Sequence, residues 1–202
     1  MPRVTQVLRT ARKAVRDLDL LKILESELNH ELSSMRFQSD KIGSLGDFVL
    51  EWDSQQSQDV VLRKKCSSGE EVAVSALLGR DTYQGDGYLP REALMKICVK
   101  KPGLSSILQF DCVAFNKRGS ESEFDIQNAH YIPSSSSSLH ASNYRGPLFS
   151  DLDPALQQEL KQYLAVRGID DNFTNFLLLH LHKKEQGQYM NWLQKLKDMM
   201  VE

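Results

Sequence analysis

Apolar residues change period twice along this chain. In the first third, Leu18, Leu21, Leu28, Leu32 and Met35 fall at helical steps that approach a heptad. The pattern predicts a helix reaching about Arg36, pairing with the C-terminal helix or with another chain. In the middle the period drops to two. Phe48, Leu50 and Trp52 alternate with Val49, Glu51 and Asp53. Residues 60–64, 72–78, 94–100, 107–115, 124–132 and 144–149 continue as short segments separated by Gly, Ser, Asp and Pro. Alternation over short segments predicts an antiparallel sheet with one covered face, and these segments make seven strands. Lys101-Pro102-Gly103 reads as a type II hairpin turn. Residues 79–91, with Gly85-Asp86-Gly87 and Pro90, read as a loop between strands, and the serine run 134–138 as another loop.

From residue 150 the helical period returns. Asp153 suits an N-cap and Pro154 the first helical position; Leu152, Leu156, Leu160 and Leu164 follow. Gly168 predicts a left-handed C-cap, and Asp170 or Asp171 the cap of the next helix. That helix carries Phe173, Phe176, Leu177, Leu181, Trp192, Leu193, Leu196 and Met200 on one wide apolar stripe. Of these, Phe176, Leu177, Trp192, Leu193 and Leu196 are read as packing and assembly residues. Trp192 is read as an anchor into the sheet or into a seam between subunits. The chain is therefore read as α+β: a seven-stranded antiparallel sheet flanked by N- and C-terminal helices.

Charge alters this picture mainly at the start. Residues 1–16 hold Arg3, Arg9, Arg12, Lys13 and Arg16 and no acid, in an amphipathic frame. That is the composition of a mitochondrial transit peptide, the favoured reading, and also that of the first turns of one long helix; the two are compatible. The domain proper is read as residues 17–202. With those five removed, 20 basic residues face 27 acidic ones, a net of −7, which argues against a general nucleic-acid binder. Three scattered cysteines, Cys66, Cys98 and Cys112, point away from a disulfide framework and toward small packed residues. No apolar run reaches the roughly 18 residues a membrane-spanning helix needs, so membrane insertion is not expected.

Candidate chemistry is sparse. His180-x-His182 places two rings about 200° apart on a helix, the wrong spacing for a shared metal, so one is expected packed and one solvated. Glu70-Glu71 and Glu121-x-Glu123 read as solvated edge charges that deter edge-to-edge pairing. The sequon Asn172-Phe173-Thr174 sits at a helix start and reads as chance. Arg63, Lys64, Lys65, Lys96, Lys100 and Lys101 would form a basic sheet patch if their strands are neighbours, but without interleaved aromatic rings to stack bases. There is no nucleophile elbow, no P-loop and no dinucleotide fingerprint. No catalytic residue, cofactor or metal is expected.

One string of residues is more specific. Tyr144, Gly146, Pro147 and Phe149, then Gln157, Tyr163, Leu164, Arg167, Gly168 and Ile169, then Phe176, Lys184, Glu185, Tyr189, Trp192 and Leu193 resemble the mitochondrial glycoprotein family. Residues 19–24, with Glu27, His30 and Glu31, resemble its first helix. The resemblance implies the seven-stranded sheet, a ring-shaped homotrimer with helical coiled-coil contacts, and a place in the mitochondrial matrix. It also implies an acidic face that holds basic proteins, such as unassembled respiratory or ribosomal subunits. In the family, the region at 79–91 can be a long acidic insertion; here it is short, with Asp81, Asp86 and the adjacent Glu92 as the partner-binding candidates. The second reading is an RNA-associated factor in mitochondrial translation or transcript processing.

Overall fold

The computed structural model describes residues 2–33, 44–79, 83–84, 87–88, 92–116, 122–133, 144 and 146–201. These fall into two compact units, one of Ser39–His182 and one of Met1–Gln38 with Lys183–Glu202.

The larger unit holds a six-stranded antiparallel sheet. Its strands are β1 (Val49–Trp52), β2 (Val60–Lys65), β3 (Glu71–Leu78), β6 (Ala93–Lys100), β7 (Ile107–Asn116) and β8 (Ser122–Ile132), in that spatial order. Each strand pairs with the one before it, so the sheet is a meander, interrupted only between β3 and β6. There, β4 (Tyr83–Gln84) and β5 (Gly87–Tyr88) pair as a two-stranded ribbon inside what the sequence presents as a plain loop. Period-two burial is clearest in β6: Ala93, Met95, Ile97 and Val99 are buried, while Leu94, Lys96 and Lys100 are exposed. Gly103 has φ 74°, and Leu104 N–H donates to Lys101 O at 3.3 Å, closing the expected turn.

Among the described residues the sheet has six strands, not the expected seven. The described residues of 144–149 do not extend it. Gly146 sits at φ 96°, Pro147 has no N–H to give to a ladder, and Phe149–Asp151 winds into a 3₁₀ turn.

Helix α2 (Pro154–Ala165) and the first part of α3 (Asp171–Val201) complete this unit's core. Asp153 Oδ1 accepts from Ala155 N–H at 2.9 Å, as an N-cap should. At the other end, Gly168 N–H donates to Ala165 O at 2.9 Å and Ile169 N–H to Leu164 O at 3.2 Å. With Gly168 at φ 93° this is a Schellman motif, and its usual apolar contact is supplied by Leu164 and Ile169, both fully buried. Of the two candidate caps for α3, Asp170 serves: its Oδ1 accepts from Phe173 N–H at 2.9 Å. Leu164, Ile169, Phe173, Leu177, Leu178 and Leu181 then join Leu62, Val74, Ile97, Phe110 and Phe124 in one apolar cluster. Fully burying each such side chain stabilises by about 1.5–3 kcal/mol.

The smaller unit is a helix pair, α1 (Pro2–Ser33) and the end of α3. Glu25 meets Lys197 at 3.0 Å, Glu27 accepts from Tyr189 Oη at 3.1 Å, and Glu31 from Gln186 at 3.4 Å. Rising numbers on α1 against falling numbers on α3 make the pair antiparallel. Burial, then the Glu27 bond, push the Tyr189 phenol up from its ordinary value. Residues 34–36, where the first helix was expected to end, lie outside the described residues.

Candidate interaction surfaces

Strand register lays out the sheet face opposite the core as rows. One row runs Trp52–Val61–Ser75–Lys96–Asp111–Asn128, the next Val49–Arg63–Ala73–Cys98–Gln109–His130, the third Lys65–Glu71–Lys100–Ile107–Ile132. Arg63, Lys65, Lys96 and Lys100 therefore share this face. They do not sit on neighbouring strands as the sequence suggested: β3 separates β2 from β6, so the two basic columns stand about 10 Å apart. Acids interleave with them. Glu51 pairs with Arg63 at 2.9 Å, Glu71 lies between Lys65 and Lys100, and Asp111 lies opposite Lys96. Lys64 leaves the patch altogether. Alternation turns it to the core side, where it is 14% exposed, bonds Asp47 at 3.1 Å and lies 5.7 Å from the Phe48 ring centroid.

Two further polar clusters on this unit are absent from the sequence pattern. On the open face, Asp111 accepts from Gln109 at 3.2 Å and from His130 at 3.3 Å. Elsewhere, Arg167 Nη2 donates to both carboxylate oxygens of Glu70, at 3.0 and 2.9 Å, with both side chains 14% exposed. The Arg167 guanidinium also covers the Tyr163 ring at 3.4 Å and donates to Tyr163 O. Glu70 is thus a nearly buried ion-pair partner, not a solvated edge charge. Glu71 lies on β3, an interior strand, which removes the edge reading for it as well. Burial raises the Tyr163 phenol, with Arg167 acting against it.

The histidine pair also departs from expectation. His180 stacks on Phe176 and its Nε2 lies 2.8 Å from Asp53, and His182 is half-buried, so neither is a solvated ring. Thr174 of the sequon is fully buried, its hydroxyl bonded to Ser122. Among the described residues, no group of three or more His, Cys, Asp or Glu side chains could hold a metal ion. The three cysteines are free thiols. Cys112 lies in the core, and burial, with Asp111 and Asp125 adding to it, pushes its thiol up to about 12. Cys98 is half-buried on the opposite face, its thiol also raised by burial.

The partner-binding candidates fare unevenly. Asp81 and Asp86 lie outside the described residues. Glu92 is exposed, and its backbone carbonyl accepts from Gly79 N–H at 2.8 Å. Of the assembly candidates, Leu177 and Leu193 are buried, and Phe176 and Leu196 half-buried. Trp192 is 54% exposed and stacks on Tyr189 at 6.0 Å. It is not buried as an anchor would be.

An antiparallel sheet covered on one face by α2 and the start of α3, with its polar groups spread over faces and edges, defines an α+β scaffold that presents surfaces. The chain belongs to the mitochondrial glycoprotein family, whose profile matches residues 90–200. It is 26% identical over 191 residues to a protein of Arabidopsis thaliana described as uncharacterized and mitochondrial. That match spans 90% of this chain and 74% of the plant protein. It is 32% identical over 111 residues to the mitochondrial acidic protein mam33 of Schizosaccharomyces pombe, covering 50% of this chain and 39% of that protein. The fold is shared with the Trypanosoma brucei p22 protein, at TM-score 0.70 and 20% identity over 92% of this chain and 99% of that one. It is likewise shared with a Leishmania major protein described as a homologue of human p32, at TM-score 0.66 and 18% identity, with the same coverage.

Proposed function

We propose that this protein is a non-enzymatic, homotrimeric binding protein of the mitochondrial matrix, holding basic proteins during assembly of respiratory or ribosomal components. Family membership carries the reading, and both curated relatives are named as mitochondrial proteins. The net −7 outside residues 1–16 supports attraction of basic clients, a long-range term that fades beyond a Debye length of about 8 Å in physiological salt. The exposed apolar side chains of the smaller unit, Ile23, Trp192 and Met199 among them, supply material for contacts between copies.

The test is binding of a basic folded protein such as lysozyme across a salt series, with Asp81→Asn, Asp86→Asn and Glu92→Gln combined. Affinity falls steeply with salt and falls again in the triple variant, with little change in thermal stability. Affinity indifferent to both refutes electrostatic holding. Sedimentation that finds only monomer at micromolar concentration refutes the trimer.

The RNA-associated role is the second reading. It draws on Arg63, Lys65, Lys96 and Lys100 sharing one face, and the acids between them weaken it. Salt-sensitive binding of purified RNA, lost in a Lys96→Glu and Lys100→Glu variant, would favour it.

A further inference from the structure

Strand β8 is the last in the sheet, and among the described residues no strand pairs with its outer edge. Half the backbone N–H and C=O groups of an edge strand point outward with no ladder partner. The chain does come back to β8. A Cβ on Gly146 would lie 3.3 Å from Ala129 O, and the turn Phe149–Asp151 follows. The return stops there, because Pro147 and the turn cannot form a ladder. Toward its start, β8 instead borders a notch of about 690 Å³ walled by the 3₁₀ turn and by α2, with Ile126, Phe149 and Gln157 in its lining. A bulge at Gln127 separates the two halves, since Asn128 pairs with Asp111 and Ile126 with Cys112. Ser122 is closed off, its hydroxyl bonded to Asp171 O and to Thr174, and the remaining stretch Glu123–Ile126 spans about 14 Å, room for a strand of about four residues.

Among the described residues, the charges around this edge have one dominant sign. Asp125 lines the notch and is 58% exposed, and Glu123 lies two residues before it. Asp151 and Asp153 flank the lining residues Ser150 and Pro154, and both are exposed. The cation in the lining is Lys161, already shared between Glu123 at 3.1 Å and Asp125 at 3.6 Å. A second copy of the same edge would bring these carboxylates together and be repelled. An extended segment carrying Lys or Arg would meet them favourably while its backbone completes the ladder.

We infer that the open edge of β8 is a strand-addition site for an extended basic segment of a client protein. The inference rests on the proposed holding of basic proteins and adds to it a separate site, with its own geometry, for extended clients. It also gives a use to the ladder position beside β8 that no strand fills among the described residues.

The experiment uses the full chain and a capped hexapeptide, Lys-Val-Lys-Val-Lys-Val, with two forms N-methylated at alternate residues in either register. Lysozyme, basic but folded, serves as a separate probe. Strand addition requires that at least one methylated form bind at least about tenfold more weakly than the parent at equal charge. Hydrogen exchange at Phe124–Ile126 slows on binding. Glu123→Lys with Asp125→Lys weakens the peptide by about tenfold or more, whereas Asp81→Asn, Asp86→Asn and Glu92→Gln leave it bound. If the doubly reversed variant misfolds, exchange protection in the unaltered protein decides. Equal binding of all three peptides, or protection elsewhere than β8, overturns the inference and leaves the holding of basic proteins standing. Lysozyme bound with no peptide binding does the same. Neither probe bound at low salt overturns both.

Discussion

In the unit of residues 39–182, Phe110, Phe173, Leu164 and Leu177 are each 1% exposed or less. In the unit of residues 1–38 and 183–202, the buried side chains among those described are Leu24 and Leu193, while Leu18, Ile23, Leu32, Trp192 and Met199 stand exposed. Both units are rich in leucine. One closes a single sheet face with helices and buries that cluster completely, although Trp52 and Leu94 on its other face stay exposed. The other is two helices in line contact, held partly by polar rungs such as Glu25–Lys197. An exposed salt bridge contributes about 0–1 kcal/mol, so such rungs set register more than stability. The first unit holds its stability within itself, and the second presents surface that another molecule can cover.

The largest expected effect lies in the first unit. Phe173→Ala removes a ring packed 4.7 Å from that of Phe48 and should cost about 4 kcal/mol in chemical denaturation. A loss below about 1 kcal/mol would break the contrast between the units. Next comes Arg167→Ala, which strands Glu70 in a largely buried site and should cost about 3 kcal/mol. Removing Glu70 as well should restore part of that loss, and a double variant no better than the single would exclude the ion pair as the cause. Asp170→Ala deletes the N-cap of α3 and should cost about 1 kcal/mol, with Asp170→Asn nearly neutral. Smallest is Trp192→Ala, at under about 0.5 kcal/mol in dilute solution. If copies meet on this strip, the loss grows with protein concentration and the sedimentation profile shifts toward monomer. A loss of several kcal/mol at every concentration would mean that the second unit has a tight core after all.

What could be read from the residues alone follows the reach of each interaction. Asp153, Pro154 and Gly168 act within one helical turn, and their roles were legible because caps are local. Alternation in 93–100 was legible because burial on one sheet face repeats every second residue. The segment 144–149 misled for the same reason: its apolar positions suit a strand, while Gly146-Pro147 redirects the backbone. Arg167–Glu70 and His180–Asp53 join residues 97 and 127 positions apart, and no local pattern marks either. Arg167 and Tyr163 stood out only within the string that resembles the family, with no hint of what they touch. Lys64 was misplaced because three consecutive basic residues look alike until the pleat assigns them to faces. The open edge of β8 depends on which strand comes last in space, a property of the whole sheet.

The order of the meander bears on how the protein is made. Every strand of the sheet has been synthesised by residue 132, but the segments that cover its apolar face, α2 and the start of α3, begin only at Pro154 and Asp171. During that interval Leu62, Val74, Ile97 and Phe110 belong to a sheet whose lid is still on the ribosome or still crossing a membrane pore. Newly made chains are therefore most prone to stick to one another after β8 is made and before α2 and the start of α3 follow. A chain stopped between residues 133 and 170 would be more hazardous to a cell than one stopped much earlier.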